Sequence, residues 1–346
     1  MKKLLLLLFI PLCLSCTNEI ALNFNNEPSK LILNAILFSN KDENKITLAL
    51  TGHDNVTYIT DAKVSISING ELKEVISEST YDKNSPGSSL GDYITKLHFA
   101  PGDIVKIEAV TSDNKYNAWA EVIVPNPVYI EKIDTTSSVI SNAIESIKYI
   151  HLKITFEDEA SQKNYYRIAV NRIQTVSALS KETGKDTTAI IKTSETLLCN
   201  EDVVLTDGKP TPINSDNIFD SPENRYGVFD DSRINNKYTM SVSTQYFPYR
   251  QEIYYGIHEK LKNITNIDMK LDISLHSISE GEYFYLKALN KIDSDIYDSP
   301  FTEPIKLPSN ISGGIGIMGI SAKHSQMLTL PSYVPKVLNE TNNPNH

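Results

Sequence analysis

Residues 63–76, KVSISINGELKEVI, decide the fold class of this chain. Val64, Ile66 and Ile68 alternate with serines, which is the period of a strand that buries one face. Asn69-Gly70 follows, the dipeptide favoured in two-residue hairpin turns, and residues 72–76 form the return strand. The stretch therefore predicts a β-hairpin and indicates a chain built from antiparallel sheets.

Short strands separated by turn residues continue on both sides of this hairpin. About seven are predicted, at residues 31–38, 46–50, 64–68, 72–76, 93–99, 105–109 and 116–124. About seven strands in roughly 100 residues are typical of an immunoglobulin-like sandwich. Trp119, the one tryptophan, is expected to pack within it.

Pro125-Asn126-Pro127 marks the end of this sandwich, because two prolines remove backbone donors and force an extended chain. Strand-like segments follow at 128–133, 147–156, 165–176, 237–244 and 267–278, whereas 177–236 predicts long loops and short strands. The domain prediction is a lipoprotein signal peptide at 1–15, a lipidated tether at 16–29, the sandwich at 30–125, a β-rich domain at 126–334 and a flexible tail at 335–346.

One helix interrupts this β pattern. Ser279 and Glu282 have the spacing of a capping box, in which the Glu282 carboxylate reaches back to the Ser279 amide. Tyr283, Leu286 and Leu289 then recur at helical spacing. The expected fold class is thus mainly β, an immunoglobulin-like sandwich followed by a β-rich domain with one helix packed on a sheet.

The amino terminus has the pattern of an export signal. Lys2 and Lys3 precede an apolar run that is too short for a membrane span, which needs about 20 residues. Leu14-Ser15-Cys16 resembles the lipobox of bacterial lipoproteins, in which the cysteine is acylated after cleavage before it. Cys16 is therefore the predicted lipidation site, and the alternative is an ordinary secretory peptide with a chance cysteine.

Composition excludes several classes of function. Lys plus Arg number 33 against 43 Asp plus Glu, giving a net charge of −10 and no basic cluster, so nucleic acid is not an expected partner. After removal of the signal peptide and lipidation, Cys199 is the one cysteine left, which excludes a disulfide framework and predicts a small buried side chain. The seven histidines form no zinc motif, and no metal or other cofactor is expected.

Two stretches match catalytic formulae without their structural context. Residues 87–91 spell G-x-S-x-G, but they lie in a loop before a strand, whereas the hydrolase elbow needs a strand before the serine and a helix after it. Residues 314–319 spell G-x-G-x-x-G, but β-branched residues among the glycines favour a strand or bulge over a dinucleotide loop.

Two other features are candidates for a ligand or partner surface. Asp230 and Asp231 could serve in a loop as calcium ligands or an acid/base pair, although turn and cap roles are more common and neighbouring strand residues point to opposite faces. Five aromatic rings lie within ten residues, where they could stack on sugars, form a partner surface, or pack as one buried face of a strand pair. These rings belong to Tyr246, Phe247, Tyr249, Tyr254 and Tyr255.

Several short segments in order resemble the domain-of-unknown-function family 4249, lipoproteins of Gram-negative outer membranes. They are Pro101-Gly102-Asp103, Val124-Pro125, residues 163–167 (KNYYR), 229–231 (FDD) with Lys237-Tyr238, 282–285 (EYFY), 300–304 (PFTEP) and 310–316 (NISGGIG). The resemblance implies a sandwich followed by a β-rich domain, lipid anchoring in the outer membrane, and an accessory role beside TonB-dependent transporters. It supplies no catalytic residues.

Three functional hypotheses remain. The first is a non-enzymatic binding or accessory lipoprotein that assists a TonB-dependent transporter. The others are an envelope hydrolase acting on glycan or peptide, and a surface adhesive or structural module. The expected location is the outer membrane through Cys16, with the periplasmic or exposed face left open.

Overall fold

The computed structural model describes residues 28–52, 55–81, 83, 88–141, 146–159, 162–211, 224–247, 261–294 and 305–334. The predicted signal peptide, Cys16, most of the tether and the tail at 335–346 lie outside these residues. The described part contains sixteen strands and one α-helix. They are β1 Leu31–Phe38, β2 Asn44–Leu50, β3 Thr57–Tyr58, β4 Lys63–Ile68, β5 Glu71–Ile76, β6 Asp92–Thr95, β7 Ile104–Val110, β8 Asn117–Ile123, β9 Ile130–Ser141, β10 Ser146–Glu157, β11 Tyr165–Ser180, β12 Asp186–Ser194, β13 Val228–Asp230, β14 Lys237–Gln245, β15 Leu261–Ser277, α1 Glu280–Ile292 and β16 Ile315–Tyr333.

The mainly β fold class is confirmed. A nine-stranded sheet runs β12-β11-β15-β16-β1-β2-β3, with β13 also pairing with β11 and β6 with β2. Two smaller sheets, β5-β4-β7-β8 and β14-β10-β9, have separate buried cores beneath them. The first core joins β5-β4-β7-β8 to the β1-β2 half of the long sheet, and the second joins β14-β10-β9 to the β11-β15 half. The immunoglobulin-like character of the first sandwich stays a prediction.

The hairpin that decides the fold class is present at its predicted position. β4 and β5 pair antiparallel, and Asn69 and Gly70 both have positive φ, at 53° and 80°. Positive φ at both central residues is the backbone of a type I′ turn, which matches the twist of the flanking strands. The local sequence therefore suffices to specify this element.

β16 connects the two sandwiches. Its first part pairs parallel with β1, with Ile315 opposite Ile32 and Ser321 opposite Phe38. Its remainder pairs antiparallel with β15. The first sandwich is consequently not made of residues 30–125 alone, since Met318 and Ile320 belong to its core.

Residues 315–319 of the G-x-G-x-x-G stretch form the start of β16, and Gly314 immediately precedes it, in agreement with the interpretation as a strand or bulge. A Cβ on Gly316, which has a φ of 120°, would lie 2.2 Å from the Leu33 carbonyl oxygen. A Cβ on Gly314 would lie 2.3 Å from the Leu31 carbonyl oxygen. The glycines therefore permit close approach of β16 to β1. In the G-x-S-x-G stretch, Gly87 lies outside the described residues, and the strand β6 follows Gly91 where a hydrolase elbow has a helix.

Two details differ from the sequence predictions, and a third agrees with them. The 177–236 segment contains the nine-residue strand β12, whose alternation of half-buried and exposed residues is that of an edge strand. Trp119 is not packed in the core but is 40 % exposed, on the outward face of β8. Cys199 behaves as expected, since it is buried and burial raises the pKa of its thiol to about 12.

Candidate functional site

A cleft of about 840 Å³ opens between the two sandwiches. One wall is the end of β8 with the following Pro125. The opposite wall is the segment 162–165 together with the first turn of α1, and residues 308–310 close a third side. This volume is in the range of sites for small organic ligands, which are often found between domains.

The position of α1 at the cleft follows from the chain just before it. The Ile278 amide donates to the Tyr165 carbonyl oxygen at 2.9 Å, which continues the β15–β11 ladder up to the helix. Ser279 is extended, with φ −70° and ψ 154°, and the helix begins at Glu280. The N-terminal turn of α1 is thereby directed at the cleft, where Glu280 and Gly281 form part of the wall.

The third side is held by one asparagine. Asn310 donates its side-chain amide to the Met318 carbonyl at 2.7 Å and accepts from the Met318 amide at 2.9 Å. The same side chain lies against Gly281, where a Cβ would be 2.8 Å from Asn310 Nδ2. β16, the 308–310 segment and α1 are therefore packed tightly at this point.

The predicted capping box is wrong. Ser279 makes no side-chain capping bond, and its Oγ is buried without a partner in the described part of the chain. Glu282 points inward, where its two carboxylate oxygens lie 3.2 and 3.1 Å from Ser321 Oγ on β16. Gly319 provides the space, since a Cβ there would lie 2.6 Å from Glu282 Oε2. Burial raises the pKa of Glu282 to about 7, against smaller opposing effects of Ser321 and Arg167.

Aromatic rings line the helix side of the cleft. Tyr165 and Tyr283 have ring centroids 4.8 Å apart, and Phe284 lies 6.0 Å from Tyr165 and 5.2 Å from Tyr283. Phe284 is nevertheless 46 % exposed. The Tyr165 hydroxyl donates to Glu280 Oε1 at 2.7 Å. Burial and this bond raise the pKa of Tyr165, so it remains a neutral donor.

Asp230 and Asp231 lie beside the cleft and have turn and cap roles. Asp230 ends β13 and accepts from the Ser232 amide at 2.9 Å, capping a short 3-10 turn that begins at Asp231. Because the chain turns here, both carboxylates reach Lys163 Nζ, at 3.3 and 3.0 Å, and the expectation that they point to opposite faces is wrong. Burial raises the pKa of Asp230, but hydrogen bonds at Ser232 and the Lys163 ion pair outweigh it and leave the pKa lowered. A shared lysine stabilises both anions, which does not suit an acid/base pair.

The aromatic segment is only partly described. Tyr246 and Phe247 are half-buried at the end of β14, whereas Tyr249, Tyr254 and Tyr255 lie outside the described residues. Tyr246 packs against the second core, with Lys148 Nζ 4.8 Å from its ring centroid. The carbonyl oxygen of Phe247 accepts from the buried Arg172 guanidinium at 2.6 Å. Neither residue lines the cleft, and the proposed aromatic surface stays a prediction.

The strand pairing brings together two serines and a histidine that the sequence separates. His151 on β10 lies between Ser138 on β9 and Ser243 on β14. Its Nε2 is 2.7 Å from Ser138 Oγ, and its Nδ1 is 2.7 Å from Ser243 Oγ. These contacts cross adjacent strands of one sheet, and none of the three residues lines the cleft. We interpret them as a polar cross-strand ladder.

The described residues contain no group of three or more His, Cys, Asp or Glu side chains arranged to hold a metal ion. No helix among them is long and apolar enough to cross a bilayer. The cleft itself, and Trp119 near it, were not foreseen from the sequence, because the segments that form them are far apart in the chain.

The chain matches a protein-family model over most of its length. The family described as "Domain of unknown function (DUF4249)" matches residues 17–327, which is most of the chain. The chain belongs to this family. The family has no assigned activity in its description, and no curated protein matches the sequence.

Three solved structures show distant likenesses to the chain. The β-glucuronidase of Parabacteroides merdae is 9 % identical with a TM-score of 0.22, covering 74 % of this chain and 24 % of that enzyme, so the chain spans about a quarter of its length. A carbohydrate-binding module of the β-sandwich superfamily is 8 % identical with a TM-score of 0.18, covering 64 % of this chain and 92 % of the module. A protein of Corynebacterium diphtheriae described as membrane-anchored is 11 % identical with a TM-score of 0.20. The match covers 85 % of this chain and 58 % of that protein. TM-scores this low establish no shared overall fold.

Proposed function

We propose that this protein is a non-enzymatic, ligand-binding accessory lipoprotein of the outer membrane. In this proposal Cys16 carries the lipid anchor, the cleft holds a nutrient ligand, and the partner is a TonB-dependent β-barrel transporter. The observation that carries the ligand-binding part is the cleft of about 840 Å³, whose walls come from both sandwiches. Membrane attachment and the partner follow from the lipobox pattern at residues 14–16 and from the family resemblance.

A binding role fits the chemistry of the cleft walls better than a hydrolytic one. Glu280 accepts a hydrogen bond from Tyr165, and Lys163 forms ion pairs with both Asp230 and Asp231. These groups are held in fixed, satisfied positions. Fixed donors and acceptors around exposed aromatic and aliphatic surface are typical of a recognition site.

The partner is tested by affinity purification at native expression. A tag after His346 is used to recover the full-length protein from outer membranes in mild detergent, and partners are identified by mass spectrometry. The expected result is a β-barrel transporter in stoichiometric amount. Recovery of this chain alone would overturn the transporter part of the proposal.

Two variants separate the anchor from the cleft. Cys16→Ala should release the protein from the membrane fraction, and it should abolish metabolic labelling with an alkyne fatty acid. Phe284→Ala, at the cleft wall, should leave both the membrane fraction and the transporter unchanged. Fatty-acid labelling that persists in Cys16→Ala would contradict the assigned anchor.

A further inference from the structure

We infer that the cleft binds a neutral oligosaccharide that stacks on Phe284 and continues along the outward face of β8 to Trp119. This inference rests on the proposed function, since it names the ligand class of the same cleft. It depends on four observations in the described residues: an exposed ring, polar groups in fixed positions, walls of mixed charge, and a second exposed ring beyond the cleft.

The exposed ring is Phe284. It lies on α1 at the cleft wall with 46 % of its surface exposed. Contacts with Tyr165 and Tyr283 hold it in place, with centroid distances of 6.0 and 5.2 Å. A large apolar surface that is both exposed and rigid suits a flat apolar partner at low entropic cost. The C–H face of a pyranose ring is such a partner.

The polar groups are acceptors and hydroxyls. Glu280 uses Oε1 to accept the Tyr165 hydroxyl, which fixes the position of its carboxylate. Ser277 and Ser279 also line the cleft, and their hydroxyl oxygens are buried without a partner in the described part of the chain. Both oxygens are closed off from the cleft, so the exposed Glu280 carboxylate is the group that can accept a hydrogen bond from a ligand hydroxyl.

The charges of the walls favour a neutral ligand. Glu121 and Glu280 bring negative charge to the cleft, whereas Lys163 brings a positive charge that Asp230 and Asp231 hold in place. A cationic ligand is repelled by Lys163. An anionic ligand is repelled by both glutamates and by the net charge of −10 of the chain. A polyhydroxylated neutral molecule is repelled by neither sign, and it pairs with carboxylate and ammonium groups alike.

The second ring extends the site. Trp119, Glu121 and Ile123 alternate with buried residues on β8 and so share its outward face. Glu121 and Ile123 line the cleft, and Trp119 lies four residues from Ile123, about 13 Å along the strand. Trp119 is 40 % exposed, with Lys106 Nζ 4.9 Å from its ring centroid. A ligand that reaches both rings must be several sugar units long.

The test is calorimetric titration of the full-length protein in mild detergent. The ligands are cello-, xylo-, malto- and manno-oligosaccharides of increasing length, with oligolysine and oligogalacturonate as the cationic and anionic comparisons. We expect at least one neutral series to bind, with an affinity that rises with length, and neither charged series to bind. Phe284→Ala should weaken binding of every bound length between about two- and tenfold.

Matched variants locate the site. Trp119→Ala should weaken binding of long members of the series but leave short ones unchanged, and Trp119→Phe should restore part of the loss. Tyr81→Ala removes another exposed ring, 53 % exposed and outside the cleft, and should change nothing. Far-ultraviolet circular dichroism and the melting temperature check that each variant is folded.

The outcomes separate this inference from the proposed function. If oligolysine or oligogalacturonate binds in a way that depends on Phe284, and no neutral series binds, the sugar assignment is overturned while the cleft remains a binding site. If no ligand of any class binds, the inference and the binding role of the cleft both fall. An equal loss with Trp119→Ala for short and long sugars would overturn the extension along β8.

Discussion

Replacing Glu282 by glutamine should change the pH dependence of stability. Glu282 is 1 % exposed, touches Ser321, and has no cation among its hydrogen-bonding partners in the described residues. Burial raises the pKa of Glu282 from 4.5 to about 7. Glutamine has nearly the same shape and can still hydrogen-bond to Ser321, but it cannot ionise. The variant therefore removes the cost of a buried charge and little else.

The magnitude follows from proton linkage. Between pH 4.5 and about 7 the unfolded chain releases the Glu282 proton while the folded chain keeps it, so a rise in pH favours unfolding. At about 1.4 kcal/mol for each unit of pKa difference, the wild type loses about 3 kcal/mol of unfolding free energy across this window. Below pH 4.5 the two proteins should be equally stable, and above about pH 8 the glutamine variant should be more stable by about that amount.

Urea unfolding at pH 4.5 and pH 8.5, followed by circular dichroism, measures the difference. Comparing the variant with wild type at each pH cancels the other titrating groups, which the two proteins share. Glu78→Gln, at an exposed position, serves as the control and should show no difference at either pH. If the Glu282→Gln difference were the same at both pH values, the inference that a buried carboxyl titrates near neutrality would be refuted.

Three further predictions concern stability and reactivity. Gly319→Ala places a Cβ 2.6 Å from Glu282 Oε2 and should lower the unfolding free energy by about 1–3 kcal/mol in urea titrations. Tyr166→Phe leaves the buried Asp158 carboxylate without the tyrosine hydroxyl and should cost about 1.5–3 kcal/mol in the same assay, whereas a loss near zero would show that the bond is unimportant. Cys199, whose pKa is raised to about 12, should resist iodoacetamide at pH 8 in the folded protein and react after unfolding in urea, as measured by intact mass.

The sequence predicts the elements whose determinants are local. β1 begins and ends at the predicted residues, and the hairpin at Asn69-Gly70 forms because alternation and turn chemistry are contained within one short segment. Cys199 is buried, and Gly316 and Gly319 lie in a strand, because each assignment depends on neighbouring residues alone. The mainly β class follows from such local patterns.

Features that depend on distant segments could not be predicted in this way. Ile32 and Ile315 are paired in parallel strands, yet nothing in either segment specifies its partner. The capping-box spacing at Ser279 and Glu282 is present, but Gly319 opens a space into which the carboxyl group packs instead. Trp119 has the alternation of a strand, and alternation does not tell which face is covered.

The cleft shows the consequence of that long-range pairing. If the two sandwiches were joined only through Pro125 and its neighbours, they would be free to rotate about the linker, as domains commonly do. β16 prevents this, because its first part is hydrogen-bonded to β1 and its remainder to β15 within one continuous strand. Asn310 ties the wall beside α1 to the same strand through Met318. The walls of the cleft are therefore fixed relative to each other before a ligand arrives, and a preorganised site is one in which little binding energy is lost to ordering the protein.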